Sequence, residues 1–244
     1  MKIDINCDVG ESFGIYTLGN DAALMPYITS ANIACGFHAG DPFVMKRTVA
    51  LALKHHVKIG AHPGFDDLAG FGRKAINVSP SEIGPLMLYQ IGALYGIVQA
   101  QGGALHHVKP HGALYNMAVK SNELAEAVVI AIKTFNPALY LYGLPNSALE
   151  WAAKKHALPF KAEIYADRNL TDEGTLVPRT ASNAMIHDVE ASALQITRII
   201  EEGYALSVHD KHIPMRGETV CVHGDNPDAV AFAKALHGYL KGTL

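Results

Sequence analysis

Short apolar runs alternate with longer helical patterns along the whole chain, and this alternation constrains the fold more than any other feature. The apolar runs predict seven strands, at Ile3–Asp8, Asn32–Cys35, Val57–Ala61, Ala104–Val108, Ala138–Tyr142, Phe160–Tyr165 and Thr219–His223. The patterns between them predict helices at Pro42–His55, Ser79–Gln101, Ser121–Phe135, Asn146–His156, His187–Glu202 and Pro227–Leu240. Strand-then-helix repetition is typical of parallel strands joined by right-handed crossovers. The sequence therefore predicts an α/β fold, a (β/α) barrel with slightly fewer than the usual eight strands.

Several of the predicted helices begin with recognisable signals. Asp41, Ser79 and Asn226 each precede a proline, so that a capping side chain stands before a proline at the first helical position. No GxGxxG motif opens the first helix, which argues against a dinucleotide-binding Rossmann fold. No linker or shift of composition divides the chain, and we expect one barrel domain over residues 1–244.

Composition and charge exclude several classes of partner. A formal net charge of −3 gives no electrostatic footprint for nucleic acid or for an anionic membrane. The three cysteines lack CxxC spacing and cannot all pair, so neither a disulfide framework nor a zinc ribbon is indicated. The first residues carry no apolar signal-peptide region, and no run of about 18 apolar residues is expected to span a bilayer. We therefore expect a cytoplasmic protein.

Two connections are too long to be plain turns, and one segment has the character of a hairpin. The connections cover residues 63–78 and 166–186. Loops of more than about 12–15 residues in a compact domain are usually lids or binding loops. Arg73, Arg168 and Arg179 lie on these loops, where they are candidates to bind an anion. Residues 205–217 are expected to form a small hairpin before the last strand.

The stretch HHVKPHGALY, from His106 to Tyr115, concentrates titratable side chains around one proline. Side chains alternate between the two faces of a strand, so His107, Lys109 and His111 are expected to point one way. His106 falls on the opposite face and is expected to be a structural hydrogen-bonding residue in the barrel wall. Because active sites of parallel barrels lie at the carboxyl ends of the strands, this stretch predicts part of a site.

Most of the predicted strands end in polar, titratable residues. These residues are Asn6, Asp8, Glu11, His38, Asp41, His62, Lys109, His111, Glu163, Asp167, Arg168, His223 and Asp225. Any one of them has an ordinary structural explanation: a lone histidine is more often a hydrogen-bond partner than a catalyst, and Asp41 is expected to cap a helix. Chance would scatter such residues over both ends of the strands. Their gathering at one end favours an active site.

The residue types favour acid–base chemistry over covalent catalysis. There is no GxSxG motif for a nucleophilic serine and no GxxxxGK[ST] motif for the phosphates of ATP. Asp8, His38, His62 and His111 suit proton transfer, and Lys109 suits stabilisation of a negative charge. Alternatively, Asp8 with two of the histidines, His38 and His62 as candidates, forms a two-histidine, one-carboxylate site for a divalent metal that activates water.

Six stretches carry a resemblance to a known family. In chain order they are DINCDVGESFG, ANIACGFHAGD, GAHPGFDDLAGFGR, HHVKPHGALYN, ADRNLTDEGTLVPR and VCVHGDNP. Together they resemble the LamB/YcsF family, the A subunits of 5-oxoprolinases, over nearly the whole chain. One departure is Lys74, where a second arginine is expected after Arg73. Because Arg73 itself is retained, this departure changes little.

The resemblance implies a fold, an activity and partners. The fold is a seven-stranded barrel akin to that of the polysaccharide deacetylases, the NodB-like barrel. The activity is the ATP-dependent opening of 5-oxo-L-proline to L-glutamate, together with 5-oxoprolinase subunits B and C. Since this chain has no P-loop, we expect the partner subunits to handle ATP wholly or partly.

Residue roles follow from combining the strand ends with the implied reaction. The expected catalytic residues are Asp8, His38, His62, Lys109 and His111. The expected substrate-binding residues are Asn6, Glu11, Arg73, Asp167, Arg168, Arg179, His223 and Asp225. Two other functions stay open: a metal-dependent deacetylase or amidohydrolase that acts alone, and a subunit that binds 5-oxoproline without catalysis.

Overall fold

The computed structural model describes residues 3–242 and contains a closed barrel of seven parallel strands. In order around the barrel, the strands are β1 (Asp4–Val9), β2 (Ser30–Ala34), β3 (Lys58–His62), β4 (Leu105–Val108), β5 (Tyr140–Gly143), β6 (Phe160–Tyr165) and β9 (Thr219–His223). Strand β9 pairs with both β6 and β1, which closes the barrel. The prediction of a seven-stranded (β/α) barrel is confirmed.

A separate hairpin precedes the last barrel strand. Strands β7 (Tyr204–Leu206) and β8 (His212–Pro214) pair antiparallel, as predicted for residues 205–217. The long connections over residues 63–78 and 166–186 consist of turns and isolated bridges, such as those that join Arg168 to Met185 and Leu170 to Leu176. Both connections follow the carboxyl end of a barrel strand, where they can cover a site.

Helices surround the barrel. They are α1 (Asp21–Leu24), α2 (Pro42–Lys54), α3 (Pro80–Ala100), α4 (Gly112–Lys120), α5 (Asn122–Phe135), α6 (Ala148–Lys155), α7 (Val189–Thr197) and α8 (Ala229–Gly242). A 3₁₀ turn at Met25–Tyr27 follows α1, and a π-helical turn at Arg198–Glu202 follows α7. The predicted cap of α2 is confirmed, because the carboxylate of Asp41 accepts hydrogen bonds from the amides of Phe43 and Val44.

Helix α3 corrects one expectation drawn from the sequence. Its 21 residues are long and apolar enough to cross a bilayer by length and composition, so the expectation that no segment qualifies is wrong. A buried helix of a folded domain passes the same test. Ile83, Met87 and Ile91 of this helix belong to the hydrophobic core around the barrel. This packing accounts for the buried third of the apolar stretch of the helix.

The inside of the barrel is polar. Along β1, Ile5 and Val9 point outward into the hydrophobic core, whereas Asp4, Asn6 and Asp8 point inward. Barrels of this type are usually filled by branched apolar side chains. Here hydrogen bonds hold the interior together instead. Asp4 accepts hydrogen bonds from Thr29, Ser30, Tyr142 and Thr219. The functional site therefore rests on a floor of polar, hydrogen-bonded side chains.

Candidate active site

A cavity of about 540 Å³ opens at the carboxyl ends of the barrel strands. Its polar lining includes Asp8, His62, Arg73, Lys109, His111, Tyr115, Asn116, Tyr165, Arg168, Arg179 and His223. Strands β1, β3, β6 and β9 each contribute a side chain, and the segment between β4 and α4 contributes Lys109, Pro110 and His111. The site therefore lies where parallel barrels carry their ligands.

Lys109 lies at the floor of the cavity between two carboxylates. Its Nζ is 2.9 Å from Oδ1 of Asp8 and 2.8 Å from Oε1 of Glu163. The Sγ of Cys221 lies 3.0 Å away. Burial by itself lowers the pKa of Lys109, but Asp8, Cys221 and Glu163 outweigh burial and hold the pKa well above its usual value. Lys109 is therefore a fixed positive charge and not a base.

Asp8 is the ionised partner of this lysine. Besides Lys109, its Oδ1 accepts a hydrogen bond of 2.7 Å from the amide of Asn32, and its Oδ2 lies 3.4 Å from Nε2 of His62. Burial raises the pKa of Asp8, but the charges of His62 and Lys109 outweigh burial and bring the pKa well below its usual value. The carboxylate is thus held in place by three neighbours.

His62 and His111 stand side by side in the cavity wall. The Nδ1 of His62 lies 2.7 Å from the carbonyl oxygen of Lys109, and the Nε2 of His111 lies 2.8 Å from the carbonyl oxygen of Phe71. The Nδ1 of His111 lies 2.9 Å from Nε2 of His62. Burial is the main cause that lowers the pKa of His111 well below its usual value. A neutral His111 therefore faces a histidine that also contacts Asp8.

His38 and Glu11 lie behind these two histidines and outside the cavity lining. The ring of His38 stacks on that of His111 with a centroid distance of 3.7 Å. Its Nε2 lies 3.8 Å from Oε1 of Glu11. Burial, followed by the charge of Asp8, raises the pKa of Glu11 well above its usual value. The predicted catalytic residue His38 is thus near the site without reaching the cavity.

Two buried groups of side chains have the composition and spacing to hold a metal ion. One consists of Glu11, His38, His62 and His111, and the other of Asp8, Cys221 and His223. The sequence-based candidates Asp8, His38 and His62 are divided between these two groups. A divalent metal at this end of the barrel therefore has donors available, although His38 and Asp8 fall in different groups.

The predicted substrate-binding residues divide into two sets. Arg73, Arg168, Arg179 and His223 line the cavity. Asn6, Glu11, Asp167 and Asp225 lie outside its lining and contact residues that do line it or lie beneath it: Asp167 pairs with His223 at 2.8 Å, and Asp225 pairs with Arg73 at 2.5 Å. Asn6 is one layer below Asp8 and donates a hydrogen bond to Thr219.

The two loop arginines differ in their surroundings. Arg168 is 4% exposed and donates hydrogen bonds to the carbonyl oxygens of Val177 and, at the longer distance of 3.4 Å, Ala184. These contacts join two parts of the loop over residues 166–186. Arg179 is exposed at the mouth of the cavity. Arg168 thus holds the loop together, whereas the guanidinium of Arg179 makes one long contact of 3.8 Å to Sδ of Met185 and can contact a ligand.

Two polar residues of the site, Asn32 and Cys221, were not predicted to take part in it, and Glu163 was predicted at the end of its strand without a role. The side-chain NH2 group of Asn32 donates a hydrogen bond to Asp8, and the Oδ1 of Asn32 lies 2.7 Å from Nε2 of His107. Glu163 and Cys221 contact Lys109. Strand alternation predicts that His107 shares the face of Lys109, and the structure confirms this. His106 was expected on the opposite face, and this is wrong: its Nδ1 lies 3.2 Å from Nδ1 of His107, and its ring stacks on Tyr140 with a centroid distance of 5.1 Å. The cause is a register shift between β3 and β4, which interrupts the alternation of side chains just before His107. Alternation within β2 would also have pointed to Asn32.

The fold and the site together define a parallel α/β barrel with a buried carboxylate, ammonium and imidazole cluster at its ligand-binding end. The model of the LamB/YcsF family matches residues 3–243, and the chain belongs to this family. The sequence-based resemblance is thereby confirmed.

Similar proteins cover nearly the full chain. A protein of Shouchella clausii (strain KSM-K16), named as the A subunit of 5-oxoprolinase, is 54% identical over 98% of this chain and 94% of its own length. A protein of the same name from Brevibacillus brevis (strain 47 / JCM 6285 / NBRC 100599) is 52% identical, with the same coverage of both chains.

Solved structures agree with this assignment. The crystal structure of the lactam utilization protein from Thermus thermophilus superposes with a TM-score of 0.93 at 41% identity, over 100% of this chain and 97% of that one. A putative cellobiose-phosphate cleavage protein from Enterococcus faecalis V583 has a TM-score of 0.53 at 12% identity, over 98% of this chain and 92% of that one. At that identity the second likeness concerns the fold alone.

Proposed function

We propose that this chain hydrolyses the amide bond of 5-oxo-L-proline to give L-glutamate, in a reaction coupled to ATP and shared with subunits B and C of a 5-oxoprolinase. The names of the similar proteins support the substrate class and the existence of partner subunits. The structural observation that carries the proposal is the buried contact of Lys109 with Asp8, beside His62, on the floor of the cavity.

Coupling to ATP answers a chemical difficulty. A five-membered lactam is an unreactive amide, and transfer of the γ-phosphoryl group of ATP to its oxygen makes the ring carbon a better electrophile. Addition of water to that carbon and cleavage of the C–N bond then give an acyl phosphate. A second water hydrolyses the acyl phosphate to glutamate and phosphate. Because this chain has no P-loop motif, we assign nucleotide binding wholly or partly to the partner subunits.

The side chains of the site suit the water-addition step. The fixed charge of Lys109 stabilises the negative charge of the phosphorylated oxygen and of the adduct that forms as water adds. Nε2 of His62, or alternatively His111, takes the proton of the attacking water, since Nδ1 of His62 is engaged by a carbonyl oxygen. The proton taken from that water passes to the ring nitrogen of the lactam as the C–N bond breaks. Asp8 orients the imidazole of His62. The arginines at the cavity mouth, Arg73 and Arg179, bind the substrate carboxylate or the transferred phosphate.

The cytoplasm is the compartment that we propose for this reaction. The three cysteines, Cys7, Cys35 and Cys221, are buried and free. Free thiols are typical of a reducing compartment, where ATP is also available.

A second candidate is a metal-dependent amidohydrolase that acts without ATP or partners. The observation in its favour is the buried group of Glu11, His38, His62 and His111 with the donor types of a metal site. The two candidates differ in what they require: the first needs ATP and two further subunits, whereas the second needs only a metal ion.

Reconstitution distinguishes the candidates. We expect glutamate release from 5-oxoproline only when the chain, subunits B and C, and ATP are all present, and no release by the chain alone. The reason is that the chain has the water-addition site without a nucleotide-binding motif. Glutamate formation by the chain alone, with or without ATP, would contradict the proposal. Release by the chain alone that needs a metal ion and no ATP would favour the second candidate.

An isosteric variant separates catalysis from mere binding of the substrate. Asp8→Asn removes the charge that pairs with Lys109 and keeps the shape of the side chain. In the complex we expect loss of turnover with assembly preserved. Asp210→Asn is the matched control, because Asp210 is exposed and outside the cavity lining. Weaker binding of 5-oxoproline by Asp8→Asn, with turnover of the bound substrate unchanged, would instead favour a subunit that only binds the substrate.

A further inference from the structure

His62 and His111 face each other through nitrogens that both lack a hydrogen. A carbonyl oxygen only accepts, so Nδ1 of His62 and Nε2 of His111 carry the ring hydrogens that they donate to Lys109 and Phe71. In neutral rings the other two nitrogens are then unprotonated, yet they lie 2.9 Å apart. Two lone pairs at this distance repel each other. The arrangement requires a positive charge at this place, either a proton or a metal cation.

His38 brings a third imidazole to the same place. It is fully buried, and neither of its ring nitrogens has a hydrogen-bond partner in the described part of the chain. A buried polar group without a partner is costly, since it has lost its hydrogen bonds to water. The surrounding backbone nevertheless leaves room for this ring, because Gly64 and Gly72 have no side chain. A Cβ atom at Gly64 would lie 2.7 Å from Nδ1 of His38, and a Cβ atom at Gly72 would lie 2.7 Å from Cβ of His38, so either would clash with the ring or its attachment.

Glu11 supplies a carboxylate to the three imidazoles. Its Oε1 lies 3.8 Å from Nε2 of His38 and 4.0 Å from Nδ1 of His111. Both distances are longer than a hydrogen bond. The side chain of Glu11 is only 4% exposed. A buried carboxylate at such distances from unprotonated nitrogens leaves space for an ion that all of them contact.

We propose that Glu11, His38, His62 and His111 together hold one divalent transition-metal ion, with zinc as the best match. Three imidazole nitrogens and one carboxylate oxygen are donors that zinc prefers. The four donor atoms all lie within 4.8 Å of one another. Bonds of about 2.0–2.2 Å in a tetrahedral site place the donor atoms roughly 3.3–3.6 Å apart, so small side-chain shifts are enough.

The surroundings of the histidines agree with this assignment. A metal-bound histidine usually donates its other N–H group to a carbonyl or carboxylate oxygen, as His62 and His111 do. The rings of His38 and His111 are parallel within 2°, so their lone pairs point side by side. Binding therefore needs one ring to tilt. His38 is the ring that can do so, because no hydrogen bond fixes its nitrogens.

This ligand set differs from the one that the sequence indicates. Asp8 is engaged by Lys109 and Asn32, and it belongs to another group of side chains. Glu11 replaces Asp8 as the carboxylate ligand of the proposed metal site. The inference goes beyond the proposed lactam chemistry and changes one role in it: a bound ion would occupy Nε2 of His62 and Nδ1 of His111, and it would then replace these imidazoles in activating the attacking water. Its test needs neither substrate nor partner subunits. Failure of the metal site and failure of the proposed function are therefore seen in different experiments.

Metal binding to the purified chain tests the inference. The chain is stripped with a chelator, dialysed and titrated with Zn²⁺ by calorimetry and with Co²⁺ by visible absorption, which reports a tetrahedral site. We expect one ion per chain and a higher thermal midpoint with zinc. His38→Gln and Glu11→Gln should each weaken binding by at least about 10–100-fold, the loss known for the milder removal of outer-shell partners. His209→Gln is the control, because His209 is 74% exposed on the hairpin.

Two outcomes would overturn the inference. One is that the wild-type chain binds neither ion, and the other is that it binds them no more tightly than both variants do. In either case a proton, not a metal, separates the two lone pairs. Circular dichroism checks that each variant is folded. If His38→Gln fails to fold, the nearly isosteric Glu11→Gln alone decides the comparison.

Discussion

Lys109 is held between two carboxylates, and this position decides how a test of its role must be designed. Lys109→Met leaves Asp8 and Glu163 buried without their cation. Breaking a buried pair from one side typically costs about 3–5 kcal/mol of unfolding free energy. A single variant would therefore lose activity for two reasons, a missing charge at the substrate and a destabilised fold.

A double variant separates these two reasons. Lys109→Met combined with Glu163→Gln removes one of the two carboxylates that lose their partner. We expect urea denaturation to show that the double variant is more stable than Lys109→Met alone. We also expect both variants to lose about 10²–10³-fold in kcat in the reconstituted complex, the usual loss for one electrostatic contact. Recovery of kcat in the double variant would show that Lys109 acts through stability and not on the substrate.

At the scale of elements, the loop over residues 166–186 carries two arginines with different surroundings. Burial lowers the pKa of Arg168 to about 10, so its guanidinium stays charged at neutral pH while it donates to backbone carbonyls. Arg168→Lys cannot bridge two carbonyl oxygens, and we expect a lower thermal midpoint. Arg179→Lys should keep the thermal midpoint and raise KM for 5-oxoproline in the complex, because lysine lacks the planar fork that binds an anion at two atoms.

Thermal unfolding and steady-state kinetics of the same two variants check this division. Each variant serves as the control for the other, since both make the same chemical change within one loop. An unchanged KM for Arg179→Lys would contradict a contact with the substrate. An unchanged thermal midpoint for Arg168→Lys would contradict its role in joining the loop.

Sequence periodicity predicted most elements well, but it missed the short helix α1 and helix α4. All seven barrel strands follow from short apolar runs and lie within a few residues of their predicted bounds. Helix α4 was missed because Pro110 and Gly112 are residues typical of a turn. Gly112 indeed has a φ of +52°. The buried Ala113, Leu114 and Ala118 of α4 carry the helical pattern that this turn masks.

The candidate site was predictable as far as the strands extend. Alternation correctly placed Asp8, His107 and Lys109 on the inner face, because the direction of a side chain in a strand follows its position. Alternation gives the face of a side chain and not its height along the barrel, so it did not predict that Asn6 lies one layer below the cavity. Glu11 and His38 follow their strands on loops, where no periodicity gives the direction of a side chain, so their place behind His62 and His111 needed the structure.

At the scale of the whole molecule, a polar barrel interior makes stability depend on pH. Burial is the main cause that lowers the pKa of four histidines in the folded chain, to about 4 for His106 and well below the usual value for His38, His107 and His111. Unfolded histidine titrates near pH 6.5. Glu11 and Asp21 act in the opposite direction, because their raised pKa values favour the folded state at lower pH. Two carboxyls oppose four imidazoles.

The balance predicts a chain that loses stability in mild acid. Between about pH 6.5 and about pH 4 the unfolded state binds protons at these histidines and the folded state does not, so the free energy of unfolding falls as the pH falls. We expect the urea midpoint of the metal-free chain to be lower at about pH 5 than at about pH 7.5. His106→Gln should reduce this difference, whereas His187→Gln, at an exposed position, should leave it unchanged. Equal midpoints at both pH values would mean that the buried histidines are already protonated in the folded chain.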